Sequence, residues 1–274
     1  MVDKEGAGSF WDHLDELRNV LLKITLVAIL CGIVAFLFKE LLFTIVLAPK
    51  EESFITYRWI EKIGGVFSAT PVEGFDVSLI NTGLAQQFVI HMKTALCFGV
   101  LCASPYILYQ LFRFVSPALY ETERRYALQV VGNGYLMFIV GVMIGYFLIF
   151  PLTFRFLGTY QVSEEVVNMI SLDSYMSTLV LICLAMGVVF ELPVVCWLFA
   201  RMGFLNSAFM KKYRKHSIVG VLIVAAVITP TSDVFTLLAV SLPMYLLYEA
   251  SILLVSFTER KREREGIESD LMTT

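Results

Sequence analysis

The sequence predicts an all-α integral membrane protein of six transmembrane helices with both ends of the chain in the cytoplasm. Three observations carry that prediction. Hydrophobic residues make up 58% of the 274 residues and charged residues 16%, at a mean hydropathy of +0.75, whereas soluble domains run near 45–50% and about 25%. The apolar residues gather in long runs without a polar stripe, as lipid and protein neighbours on all faces require. Lysine and arginine concentrate in alternate short connectors, which orients a multispanning chain.

In chain order, residues 1–19 form a cytoplasmic amphipathic segment, 20–257 the membrane domain, and 258–274 a charged cytoplasmic tail predicted to be disordered. In "SFWDHLDELRNVLLK", Phe10, Leu14, Leu17 and Leu21 recur at helical spacing opposite Asp12, Glu16, Asn19 and Lys23, the pattern of an interfacial helix entering a span. The opening residues are mixed in charge and no small-residue cleavage site follows, so this is read as a retained first span rather than a signal peptide. A crossing takes about 20 apolar residues for about 30 Å of hydrocarbon, and 20–38, 88–112, 127–152 and 175–200 supply them. The block from 217 to 257 is broken at "TPTSD", where Pro230 removes a donor and Ser232 or Asp233 can cap the next helix. The fifth span, 217–229, is then only about 20 Å long. The sixth, 234–257, is interrupted by Glu249. Fifth and sixth are therefore expected to be short and to thin the bilayer locally.

Orientation follows from the connectors. Lys4, Arg18, Arg113, Arg124, Arg125, Arg201, Lys211, Lys212, Arg214, Lys215, Arg260, Lys261, Arg262 and Arg264 fall on one side. The other holds Lys39, Lys50, Arg58 and Lys62 in a long loop, then Arg155 alone. The first side is the cytoplasm. On the opposite side, 39–85 and 153–174 are each expected to form a helix lying over the bundle.

No HExxH, GxSxG, P-loop or GxGxxG pattern occurs, which points away from hydrolases and nucleotide-driven pumps. The five cysteines all lie in apolar runs without metal-ligand spacing and read as packing residues. No metal, cofactor, nucleic-acid partner or enzymatic activity is expected. The informative charges are carboxylates. Asp12, Asp15 and Glu16 outnumber Arg18 on a flank where basic residues are usual, and a second acidic pair, Glu121 and Glu123, follows Pro117 in the connector "FVSPALYETERRYAL". Acidic groups gain nothing from an anionic lipid surface. A carboxylate does bind guanidinium through two parallel charge-assisted hydrogen bonds, which lysine cannot reproduce. Two such groups on one membrane face suit a ligand with a pair of arginines.

Within the spans, Glu191 in "MGVVFELPVV" is an ionisable group at membrane depth, to be read either as an interhelical hydrogen bond or as a transport-linked site. Pro193 is expected to kink that helix. Glu249 lies nearer the cytoplasmic end, where it can snorkel. Gly141 and Gly145 form a GxxxG, a mark of close helix packing.

Together, "HLDELR" (13–18), "LAP" (47–49), "SPYILYQLFRFVSPALYETERR" (104–125), "FPLTFRFL" (150–157), "FELPV" (190–194), "TPTSDVF" (229–235) and "LPMYLLYE" (242–249) resemble the TatC family, the multispanning receptors of the twin-arginine protein translocase. The resemblance covers nearly the whole chain. It implies a six-span receptor in the bacterial cytoplasmic (inner) membrane that binds the twin-arginine signal peptides of folded proteins and draws on the proton gradient. It implies that Glu16 and Glu123 contact the signal arginines, with Arg18, Phe114, Pro117, Leu119, Tyr120 and Arg125 at associated recognition positions. Glu191, Lys93, Asp233 and Pro49 match further family positions, as intramembrane or structural polar sites. Implied partners are TatA- and TatB-type single-span proteins, other copies of the chain and the lipid bilayer. Val20 stands where the family often has a basic residue, Gln86 or Gln87 where it commonly has an acid, and residues near 51–78 enlarge the first external loop. Two other readings compete: a proton-coupled secondary transporter using Glu191 and Glu249, which lacks the internal repeat such proteins often show, and an intramembrane protease, for which no Ser/His, paired-Asp or zinc set lies at depth.

Overall fold

The computed structural model describes residues 5–59, 62, 78–115, 127–161, 163, 168–229 and 233–273. The chain forms two compact units, one of Met1–Phe43 with Phe88–Leu136, the other of Thr44–Gln87 with Met137–Thr274.

The first unit is built on α1 (Glu5–Leu37) and most of α3 (Gln86–Val115), with the opening of α2 (Lys39–Leu47) and of α4 (Ala127–Ile144). The amphipathic segment and the first span are one uninterrupted helix of 33 residues. Close approach joins α1 to α3: a Cβ added at Gly99 would lie 2.5 Å from the Gly32 nitrogen and 2.6 Å from the Ala28 carbonyl oxygen. Further along, His91 stacks on Phe36 with ring centroids 4.0 Å apart, and the Phe43 ring lies tilted against the same imidazole at 5.6 Å. At the start of α3 the Gln86 side-chain oxygen accepts from the Thr82 and Gly83 backbone N–H groups at 3.0 and 2.9 Å. A neutral amide thus makes the reach-back contact of a capping box, which accounts for a glutamine where the family resemblance leads one to expect an acid.

The second unit carries the rest of α2 and α4, a π turn at Gly145–Ile149, α5 (Phe150–Thr159), α6 (Leu172–Val189), α7 (Leu192–Arg201), α8 (Ser207–Lys212), α9 (Arg214–Ile228) and α10 (Val234–Thr273). Two short strands, β1 (Leu79–Ile80) and β2 (Ile170–Ser171), pair in parallel with Leu79 opposite Ile170. The GxxxG is a packing seam: a Cβ at Gly141 would fall 2.5 Å from the Met186 carbonyl oxygen, and one at Gly187 would fall 2.8 Å from the Phe138 ring. Here α6 lies against α4 at backbone distance. Between α7 and α8 the chain turns through Gly203 at φ 82°, with Phe204 N–H donating to the Phe199 carbonyl and Gly203 N–H to that of Ala200. This is a Schellman stop, and a side chain at that φ would be strained.

Among the described residues, five helical stretches are long and apolar enough to cross a membrane: Leu14–Leu37, Gln86–Phe114, Val130–Thr159, Leu172–Arg201 and Val234–Lys261. The fifth predicted span, α9, has 15 residues, about 22 Å at the helical rise, so it is as short as expected and falls below that measure. The sixth predicted span is corrected. Its apolar stretch has 28 residues, about 42 Å, and α10 continues through Pro243 and Glu249 to Thr273, across the tail whose composition reads as disordered. Glu249 does not interrupt it because the carboxylate is occupied: Arg214 Nη2 lies 2.6 Å from one oxygen and Tyr245 donates to the other at 2.9 Å. The thinning hypothesis therefore attaches to α9 alone. The fourth predicted span does break at Phe190–Glu191, just before Pro193.

The predicted cap is present: Asp233 Oδ1 accepts from Thr236 N–H at 2.6 Å at the start of α10. Asp233→Ala is expected to lower stability by about 1 kcal/mol or somewhat more, and Asp233→Asn, which keeps the acceptor, by only a few tenths. Thermal unfolding of the purified variants in detergent checks the difference.

Candidate functional site

The antiparallel course of α1 and α3 positions the first carboxylate. Gly32 meets Gly99, and Phe36 meets His91, so residue numbers rise along α1 as they fall along α3. From the glycine crossing, Glu16 lies 16 residues back along α1 and Val115 lies 16 residues forward along α3, about 24 Å in each case. Glu16 and the point where α3 hands over to the 116–126 connector are thus at the same end of the unit. Glu16 and Arg18 are exposed on α1, and Phe114 is half-buried in the last turn of α3. Pro117, Leu119, Tyr120, Glu123 and Arg125 lie outside the described residues.

The remaining predicted residues lie on other turns and elements. Lys93 is exposed in the first turns of α3. Asp233 is the cap of α10. Pro49 is buried in a 3-10 turn after α2, and its carbonyl accepts from Tyr57 at 3.0 Å. Glu191 occupies the break between α6 and α7, half-buried, and its Oε1 is buried with no hydrogen-bond partner among the described residues. The helix interruption ahead of Pro193 explains how a carboxylate is accommodated there, since it sits beside backbone that is already irregular.

Two groupings escaped the sequence reading. One is the Arg214–Glu249–Tyr245 set, joining residues 35 apart. The other is a tie, within the second unit, between residues 45–57 and the helices that follow. Tyr146 and Tyr175 donate to the carbonyls of Ile45 and Val46, Tyr57 to those of Pro49 and Pro151, and Thr56 to that of Phe147 in the π turn. Helix ends leave carbonyls unsatisfied, and phenols serve them while burying an apolar ring. Burial pushes the Tyr57 phenol well above its ordinary pKa, and the Arg155 guanidinium, 5.7 Å from its ring centre, pulls the other way. The only sequence signal was tyrosine placed at the ends of apolar runs.

Comparison with known proteins identifies the family. Residues 12–243 match the family described as Sec-independent protein translocase protein (TatC). The Sec-independent protein translocase protein TatC of Blattabacterium sp. subsp. Periplaneta americana is 30% identical over 267 residues, covering 96% of this chain and 100% of that one. The TatC of Desulforapulum autotrophicum is 35% identical over 269 residues, at 98% and 92% coverage. A crystal structure of a twin-arginine translocase receptor, TatC, superposes with a TM-score of 0.72 at 30% identity, covering 90% of this chain and 99% of that chain. With the family match spanning residues 12–243 and relatives of at least 30% identity covered nearly end to end, the chain belongs to the TatC family of Sec-independent protein translocase proteins.

Proposed function

We propose that this protein is the core receptor of a twin-arginine translocase and reads the two arginines of a signal peptide with Glu16 and Glu123. Membership of the family makes the chain a multi-pass membrane component of a protein translocase rather than an enzyme. The observation that carries the finer reading is the antiparallel pairing of α1 with α3, which brings Glu16 to the end from which the Glu123 connector departs. Arg18, Phe114, Pro117, Leu119, Tyr120 and Arg125 complete the recognition surface, and Arg124 and Arg125 hold the connector in the cytoplasm. In this reading both termini are cytoplasmic in the inner membrane, TatA- and TatB-type single-span proteins join the complex, and the proton gradient drives transport. The transporter alternative loses support because Glu249 is already held by Arg214 and Tyr245.

The test is a binding comparison on the full chain in lipid nanodiscs. A signal peptide carrying Arg-Arg is expected to bind at least tenfold more tightly than the same peptide with Lys-Lys, because only guanidinium makes the two-bond contact to a carboxylate. Equal affinities for the two peptides would remove the carboxylates from the role.

A further inference from the structure

Among the described residues of the enlarged first loop, 54–59 are held on one face by the helices and expose apolar side chains on the other. Phe54, Thr56 and Tyr57 are buried. The Phe54 ring stacks on Phe147 at 5.6 Å, Thr56 donates to the Phe147 carbonyl, and Tyr57 donates to that of Pro151. On the opposite face, Ile55 is 56% exposed and Trp59 67% exposed. They are four residues apart in a helical turn over 55–59, so they lie side by side. A segment fixed on one side that turns isoleucine and tryptophan outward is expected to have something apolar there.

Depth identifies what it is. The stretch Val130–Thr159 has 30 residues, about 45 Å of helix against a hydrocarbon layer of about 30 Å, so roughly ten residues project beyond it. Arg155 lies near one end, and a guanidinium is costly inside hydrocarbon. The projecting part therefore includes Arg155, and the contacts at Phe147 and Pro151 sit where hydrocarbon gives way to headgroups. Tyr57 is at the same level, since Arg155 lies over its ring. Arg58 and Lys62, one and three residues from Trp59 in the sequence, are exposed. Tryptophan flanked by cations is the chemistry of the lipid interface, the ring among headgroups and the charges reaching phosphate.

We infer that Ile55 and Trp59 form a lipid anchor, inserted into the interfacial region of the outer leaflet, through which the helical turn over 55–59 lies on the membrane instead of standing in solvent. The inference rests on the membrane-spanning character of the chain and not on signal recognition.

Tryptophan fluorescence tests it on the full protein. The chain has three tryptophans, and Trp11→Phe with Trp197→Phe leaves Trp59 as the reporter. In vesicles of phosphatidylcholine and phosphatidylglycerol its emission is expected to be blue-shifted relative to the unfolded chain. It should be shielded from aqueous iodide and lose more intensity to lipid brominated high on the acyl chain than to lipid brominated near its end. Subtracting the W59F signal from that of wild-type protein reads the same ring with Trp11 and Trp197 untouched, should the double variant fold poorly. Water-like emission quenched by iodide alone would overturn the anchor. So would blue-shifted emission insensitive to both quenchers, which would mean that protein, a partner or a second copy, covers the ring.

Discussion

Alanine at both Glu16 and Glu123 is expected to lower affinity for an arginine-pair signal peptide by about 10²- to 10⁴-fold and to stop export of a folded reporter carrying that signal. A hydrogen bond to a charged group is worth about 1.5–3 kcal/mol, and about 1.4 kcal/mol is a factor of ten in affinity, so each single alanine variant should lose about ten- to a hundredfold. If each carboxylate holds a different guanidinium, the two losses add. A double variant no worse than either single one would instead mean that both carboxylates serve one arginine. Glu123→Gln separates charge from shape: the amide keeps one acceptor oxygen but neither the charge nor the two-bond geometry, so it should fall between wild type and alanine. Anisotropy of a labelled peptide on nanodisc-embedded protein gives the affinities, and reporter export gives the consequence. Unimpaired binding and export in Glu123→Ala and Glu123→Gln alike would sink the assignment of that residue.

The parts of this structure that could be read from sequence are those set by neighbours along the chain. Long apolar runs announced the helices, the "TPTSD" break announced a cap that Asp233 supplies, and Pro193 announced the break at Glu191. What went unread depends on distant partners. Glu249 looked like an interruption because nothing in its neighbourhood shows Arg214, 35 residues away, arriving at its carboxylate. Apart from Tyr57 and Pro49, eight residues apart, the phenol-to-carbonyl ties join residues about 90 to 130 positions apart, too far for any local pattern to reveal. The candidate site was divided in the same way. The unusual sign of the charges marked the clusters at Asp12, Asp15 and Glu16 and at Glu121 and Glu123 as candidates for a basic ligand, and the family resemblance singled out Glu16 and Glu123. That Glu16 shares an end with the root of the Glu123 connector depends on Gly32 meeting Gly99, a register no single segment encodes.

Glycine-to-alanine changes should have opposite signs at two places on α4, and the contrast tests whether the seam with α6 holds the second unit together. At Gly141 the new methyl would lie 2.5 Å from the Met186 carbonyl oxygen and 2.8 Å from Phe190 Cβ, whereas at Gly132 nothing lies within 4 Å. Overpacking of this kind costs about 1–3 kcal/mol, while alanine for glycine on an open helix face gains up to about 1 kcal/mol from helix propensity. Gly141→Ala should therefore unfold at a lower temperature than wild type in the same detergent, and Gly132→Ala at the same or a higher one. Rescue sharpens the test. At Gly187 the obstacles are the Phe138 ring and a Val142 methyl, both side-chain ends, so Phe138→Leu should restore part of what Gly187→Ala loses. At Gly141 the obstacles are a backbone oxygen and Phe190 Cβ, both of which Phe190→Ala leaves in place, together with Phe190 Cγ, so that change should relieve only the last contact and restore less than Phe138→Leu does at Gly187. Helices in lipid associate through close packing rather than through exclusion of water, and a methyl group that only a backbone shift can admit strikes directly at that packing. Equal behaviour of the Gly141 and Gly132 variants would mean that α4 and α6 are held by something other than their glycine contact.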